Sequence, residues 1–208
     1  MGIAQPPPPC KLIVGVLGAS GTLIAAATAA LEERFGPIDA RTAPVPWTAS
    51  TYYAGEMGAQ LQRQFVSVAR LVAADELVAL KHVTNTLEAG WRHAGGRQVN
   101  IDPGYLTATK LVLATTKDAG HRIYLGSGIY AEVTLAFEHG SFRASRHTYP
   151  DYAAPETVRF FNQVRTRYLQ QLRERTGARA RASEPPPSRP PSAAPGAPPN
   201  RWPGVRSW

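Results

Sequence analysis

Residues 11–37, KLIVGVLGASGTLIAAATAALEERFGP, run from a near-continuous apolar stretch through a glycine-rich step into a helical pattern. Lys11 to Leu17 is rich in β-branched residues and reads as a strand covered on both faces. Ser20 is placed to cap a helix over Gly21 to Phe35, because its hydroxyl can accept from a free amide of the first turn. Ile24, Ala27, Leu31 and Phe35 then form one apolar stripe, and Gly36-Pro37 stops the helix.

Outward from this unit, Ile38 to Val45 reads as a second strand and Gln64 to Val72 as a third. A helix spans about Asp75 to His93, on which Leu77, Leu80, Thr84, Leu87 and Trp91 recur at helical spacing. Gln98 to Ile101 begins a fourth strand, and the Pro103-Gly104 turn is expected to stop it just after Asp102. The order β-α-β-β-α-β indicates an α+β fold, a ferredoxin-like sandwich with both helices on one sheet face. A doubly wound α/β sheet is the alternative.

Three further strands, Lys110 to Lys117, His121 to Leu125 and Ile129 to Phe137, are separated by Asp118-Ala119-Gly120 and Gly126-Ser127-Gly128, which predicts a three-stranded antiparallel meander. A C-terminal helix opens at Pro155 and buries Val158, Phe161, Val164, Tyr168, Leu169 and Leu172.

Proline marks the boundaries. Of 19 in the 208 residues, four fill positions 6 to 9 and nine lie between Pro185 and Pro203. The expected organisation is a proline-rich tail over 1–10, a single domain over 11–175 and a disordered Pro/Arg-rich tail over 176–208. Half of the net charge of +8 sits in that last tail, so the basic balance is a poor argument for sequence-specific nucleic-acid binding by the domain. One cysteine excludes a disulfide framework. No apolar run has the length of a membrane span, and Met1 to Lys11 lacks the pattern of a signal peptide. A cytoplasmic protein without membrane contact is the expectation.

The phrases VNIDPGYL (99–106), KLVLATTKD (110–118), HRIYLGSGIYAEVTL (121–135) and TYPDY (148–152), preceded by YYAGEMG (52–58), closely resemble the bacterial domain-of-unknown-function family 4416. The resemblance covers about Lys11 to Arg173 and leaves both tails outside. It implies no established activity. Members often carry the label "GTP-binding protein", but the first strand leads into GVLGASGT (15–22), which lacks the lysine of a phosphate-binding loop, and Thr116-Lys117-Asp118 lacks the spacer of a guanine-reading motif. High-affinity GTP binding is not expected.

If Gly126 to Gly128 is a three-residue loop, Tyr124 faces Tyr130 and Arg122 faces Glu132. Applying the same rule at Asp118 to Gly120 puts Lys110, Thr116, Arg122, Tyr124, Tyr130, Glu132 and Thr134 on one face. Leu111, Leu113, Ile123, Leu125, Val133 and Leu135 fall on the other, as core. Asn100 and Asp102 share one side of the fourth strand. The candidate site therefore takes Asp102 and Glu132 as catalytic acid or base, with Asn100, Lys110, Lys117, His121, Arg122, Tyr124 and Tyr130 as ligand-binding groups for a small anionic metabolite or nucleotide. No cofactor or metal is assigned. The same groups read alternatively as a water-facing surface with one cross-strand ion pair. Lys81, Asn85, Glu88 and Arg92 read as surface pairing on their helix. The long connection with Tyr52, Tyr53, Glu56 and Met57 reads as a lid or a protein-partner contact, with the arginine-bearing tail a second partner surface in a non-catalytic interaction module.

Overall fold

The computed structural model describes residues 2–50, 52–58, 60–93 and 96–182. The first unit forms as its sequence directs: β1 (Cys10–Gly18) is buried along its whole length and leads into α1 (Gly21–Phe35). The Ser20 hydroxyl accepts from Leu23 N at 3.2 Å, and Gly36 ends the helix at φ 97, a left-handed value that glycine adopts without strain. The second expected strand is two short pieces, β2 (Ile38–Arg41) and β3 (Val45–Pro46), because Pro44 and Pro46 bring no N–H to a ladder. After α2 (Ala54–Met57) comes β4 (Gln62–Val72), then a 3₁₀ turn over Ala74–Glu76 that opens α3 (Leu77–Ala89). The stretch expected to continue that helix to His93 is instead β5 (Arg92–His93), paired with β6 (Gly96–Arg97). The chain continues through β7 (Val99–Leu106), β8 (Lys110–Thr115), β9 (Ile123–Gly126), β10 (Ile129–Glu138), β11 (Ser141–Ala144), α4 (Pro150–Ala153) and α5 (Pro155–Ala182).

The result is a mixed α/β fold with one large antiparallel sheet in the order β11-β10-β8-β7-β1-β4-β2; β3 adds to β4 and β9 to β10. One face packs Leu12, Val14, Val16, Val66, Val68, Val99 and Ile101 against α1 and α3 through Ile24, Ala27, Leu31 and Leu80. The other packs Ile13, Phe65, Leu106, Leu111, Leu113 and Leu135 against Tyr152 of α4 and Phe161, Val164 and Tyr168 of α5. The closing helix runs on to Ala182, past the boundary expected at 175, and the remainder of the predicted tail lies outside the described residues. Among the described residues no helix is long and apolar enough to cross a membrane.

Two expectations about the last strands are corrected. First, β7 does not stop at Asp102. It continues through Pro103 and Gly104 to Leu106 while paired with β1 in the register Gly15↔Asp102, Val14↔Pro103 and Ile13↔Gly104. Its pairing with β8 is brief, only Gly104↔Leu113, Tyr105↔Val112 and Leu106↔Leu111. Pro103 therefore interrupts no ladder on the β8 side, which is where strand prolines are tolerated. Second, there is no β8-β9-β10 meander. β10 pairs directly with β8, and β9 lies on the far edge of β10. Glu132 is partnered with Leu113, so the two share one face rather than opposite ones. Tyr124↔Tyr130 holds, but Ile129↔Gly126 narrows the loop to Ser127-Gly128, and the register shift beside it restores the tyrosine pair. Ile123, Leu125 and Val133, expected in the core, are exposed at 70%, 41% and 51%.

The brief β7–β8 contact is tight. A Cβ on Gly104 would stand 2.4 Å from Val112 O and 2.7 Å from Leu113 Cδ2, so the backbone itself would have to move. Gly104→Ala should cost about 1–3 kcal/mol in urea unfolding, the range for overpacking. A variant as stable as the parent would reject that close approach.

Candidate functional site

Beyond Gly104 and Leu113 the two strands part, and the opening between them is a cavity of about 390 Å³. Such a parting exposes the peptide groups on the open edge of β7, and these are not left unpaired. Ile101 N donates to Glu88 Oε1 at 2.7 Å, and Ile101 O accepts from Lys81 Nζ at 2.9 Å. Lys81 and Glu88 are both buried, so the α3 polar stripe expected at the surface is the group that stands in for the missing strand. Burial raises the Glu88 pKa, and Lys81 and the Ile101 amide act against it.

Asp102 stands on this edge with its side chain 26% exposed. Its Oδ2 accepts from Asn100 Nδ2 at 2.7 Å, and its Oδ1 lies 3.4 Å from Lys81 Nζ. Arg63, at the start of β4, comes within 3.7 Å of the same carboxylate and 2.8 Å of Asp151 on α4. Gly15, opposite Asp102, makes this convergence possible, because a Cβ there would meet the Tyr152 hydroxyl at 2.6 Å and Arg63 Nη1 at 3.1 Å.

Arg63 is only 5% exposed, yet its Nε and Nη1 have no hydrogen-bond partner among the described residues. The Asp151 oxygen is near but not aligned with the N–H, and it and the Tyr152 hydroxyl are likewise buried and unpartnered. Burial acts to lower the Arg63 pKa, but Asp151, Tyr152 and Asp102 outweigh it, and the guanidinium is held charged. Burial also raises the phenols of Tyr53, Tyr149 and Tyr152, with Asp102 adding to each. The cavity thus presents neutral hydroxyl donors beside fixed cations.

The candidates read from sequence divide into three groups. Asn100, Asp102, Lys117 and Glu132 line the cavity. Arg122 and His121 stand behind it: Arg122 donates to Glu132 Oε2 at 2.8 Å, to Lys117 O at 2.9 Å and to the Tyr149 hydroxyl at 2.7 Å, while His121 lies 3.2 Å from Glu132 and stacks on His147. Lys110, Tyr124 and Tyr130 are away from it; Lys110 begins β8 opposite Ala136, and the two tyrosines pack on each other over β9 and β10. Glu132 is 4% exposed and takes a further hydrogen bond from Thr134 at 3.3 Å, so each of its oxygens has a partner within the chain.

Arg63, Asp151 and Tyr152 went unread, and Lys81 was read as surface pairing, because each looks local: an arginine just before an apolar strand, a turn, a helix stripe. The one signal was the TYPDY phrase. Much of the lining is drawn from the phrases that carry the family resemblance, Tyr52 and Tyr53, Asn100 and Asp102, Leu113 to Lys117, Glu132, and Tyr149 to Tyr152, while Arg63, Lys81 and Arg97 come from outside them. The Tyr52 segment is tied down at two points, by Lys117 Nζ donating to the Tyr52 hydroxyl at 2.8 Å and by Arg97 gripping Glu56 through Nε and Nη2 at 2.8 and 2.9 Å. Among the described residues no group of three or more His, Cys, Asp or Glu is placed to hold a metal ion.

The molecule is thus a mixed α/β protein whose large antiparallel sheet parts around a charged, phenol-rich cavity. The chain belongs to the family described as a domain of unknown function, DUF4416, whose model matches residues 8–168. No curated protein and no solved structure gives a significant match.

The hydrogen bonds from Arg97 lower the Glu56 pKa to about 2. A carboxylate depressed in the folded state adds stability above its unfolded pKa, here the ordinary value of 4.5, and loses it as pH falls toward 2. The melting temperature of the parent should exceed that of Glu56→Gln at pH 6, with the difference closing between pH 4.5 and 2. A difference that is constant over this window would show that the ion pair adds nothing.

Proposed function

We propose that the cavity binds a small anionic metabolite or nucleotide and that Asp102 serves as its proton acceptor or donor. The observation that carries this reading is the buried Arg63, whose Nε and Nη1 lie near Asp151 and Asp102 but have no aligned hydrogen-bond acceptor among the described residues and stand next to the Tyr152 hydroxyl, which has none either. A buried donor without an acceptor costs about 1–3 kcal/mol, more when charged, and an oxyanion held there would remove that cost. The cavity volume falls in the range of small-molecule sites. Asp102 is the one of the two expected carboxylates that keeps solvent access on the cavity side; Glu132 is a brace.

We further infer that the first half of the domain is a ferredoxin-like unit. The antiparallel order β7-β1-β4-β2, with α1 and α3 on one face, supports it. A second functional reading, a protein-interaction module, is favoured by the exposed Ile123, Tyr124, Leu125 and Val133 around β9.

Thermal-shift screening against sugar phosphates, nucleotides and organic acids tests the first reading. A ligand at a hundred times its Kd should stabilise the fold by about 2.7 kcal/mol. Tyr152→Phe removes a buried hydroxyl that has no hydrogen-bond partner among the described residues, so the ligand-free protein should be as stable as the parent or more so, while the response to the ligand falls about tenfold in affinity. No response to any anion, or a destabilised Tyr152→Phe, would count against the proposal.

A further inference from the structure

The Tyr52 segment and Asp102 are joined by an unbroken series of hydrogen bonds that passes through Arg97. Arg97 holds Glu56 of α2 with Nε and Nη2, while its Nη1 donates to Glu88 Oε2 at 3.1 Å and to Asn100 Oδ1 at 3.0 Å. Asn100 in turn donates Nδ2 to Asp102 Oδ2 at 2.7 Å. The chemistry of the donors fixes the sense of this series. A guanidinium has no acceptor, so the amide atom facing Arg97 is oxygen; the nitrogen then faces the carboxylate. Arg97 therefore decides that Asn100 presents a donor, and not its oxygen, to Asp102.

We propose that Arg97 is a positioning residue that couples docking of the Tyr52–Gly58 segment to the orientation of Asp102. This rests on the reading of Asp102 as the reactive carboxylate. Tyr52 and Tyr53 of the same segment line the cavity, so a ligand that presses on them acts on Glu56 three to four residues on, and through Arg97 and Asn100 on the carboxylate beside it. Glu88 keeps Arg97 charged and in place from the α3 side, where the same carboxylate also anchors Ile101 N. The direction is reciprocal: loss of the Asn100 contact weakens the hold of Arg97 on the segment.

The test uses the full chain without any added ligand, so its outcome does not depend on whether the cavity binds an anion; failure of the ligand screen and failure of this coupling are separate results. The readout is hydrogen exchange and chemical shift of the Asn100 side-chain amide by NMR. Glu56→Gln should accelerate Asn100 amide exchange about tenfold, the loss of one charge-assisted hydrogen bond, and move its shift toward that of a solvated amide. Arg97→Lys keeps the charge but not the fork, and should give the same loss. Arg159→Gln breaks only an exposed pair with Glu156 on α5 and should leave the Asn100 signal unchanged. In the reverse direction, Asn100→Ala should increase protease cleavage within residues 52–58. An Asn100 amide indifferent to Glu56→Gln, or equally altered by Arg159→Gln, overturns the proposal, as does unchanged cleavage in Asn100→Ala.

Discussion

Two neighbouring strands that touch over three residue pairs and then separate set the conditions for everything else in this domain. A sheet that opens must find other partners for the peptide groups it exposes, since a buried N–H or C=O left alone costs about as much as a lost hydrogen bond. Here the partners are ionic side chains from a helix, Lys81 and Glu88, which take the carbonyl and the amide of Ile101. Charges are thereby drawn to the floor of the opening, and further charges follow to balance them. Asp102 faces Lys81, Arg63 faces Asp102 and Asp151, and Arg97 faces Glu88 and Glu56. The polar cavity is in this sense a consequence of the parting rather than an addition to it. Gly104 and Pro103 mark the place: glycine where the backbones press together, proline where a strand has lost its neighbour on one side.

The electrostatics of the cavity are consistent with the anionic occupant proposed for it. Carboxylates in the site are opposed by cations, and the phenols of Tyr53, Tyr149 and Tyr152 are kept neutral by burial and by Asp102. Neutral phenols donate. Together with Arg63 they give a lining richer in free donors than in free acceptors, and a group rich in oxygen lone pairs answers it. Lys117, just past the end of β8, is matched by no carboxylate among the described residues but by the Tyr52 hydroxyl and ring, and its charge lowers the Tyr52 pKa through that hydrogen bond.

What the sequence disclosed was what depends on neighbours in the chain. The Ser20 cap, the α1 stripe and the buried stripe of α5 follow from local periodicity, and the structure has them. The pairing of β8 with β10 could not be read in that way, because it skips a strand. A glycine-containing turn between β8 and β9 looks the same whether the next strand pairs back or crosses to the far edge of β10. That one choice misplaced Leu113 relative to Glu132 and sent Ile123 and Val133 to the core. Pro103-Gly104 was misread for a related reason. Proline and glycine usually end a strand, and only the absence of a partner on one side lets them continue it. Asp102 and Glu132 were found from their residue types, and Arg63 and Asp151, which meet only through β4 and α4 coming together, were not.

Two carboxylates of similar chemistry line this opening, and the difference between them is one of remaining freedom. Glu132 receives Arg122, His121 and Thr134, the first two on a single oxygen, and is almost wholly buried; protonating it would weaken the charge-assisted bond that holds Arg122. Its part is to fix Arg122, which in turn holds the carbonyl of Lys117 and the hydroxyl of Tyr149 at the cavity wall. Asp102 has one close donor in Asn100, one looser contact with Lys81, and an open side. A general acid or base has to gain and lose a proton without dismantling its surroundings, and that requires a lone pair the fold has not already used. On this ground the proposed proton transfer is assigned to Asp102 on the parted edge of β7, and not to the ion pair on β10.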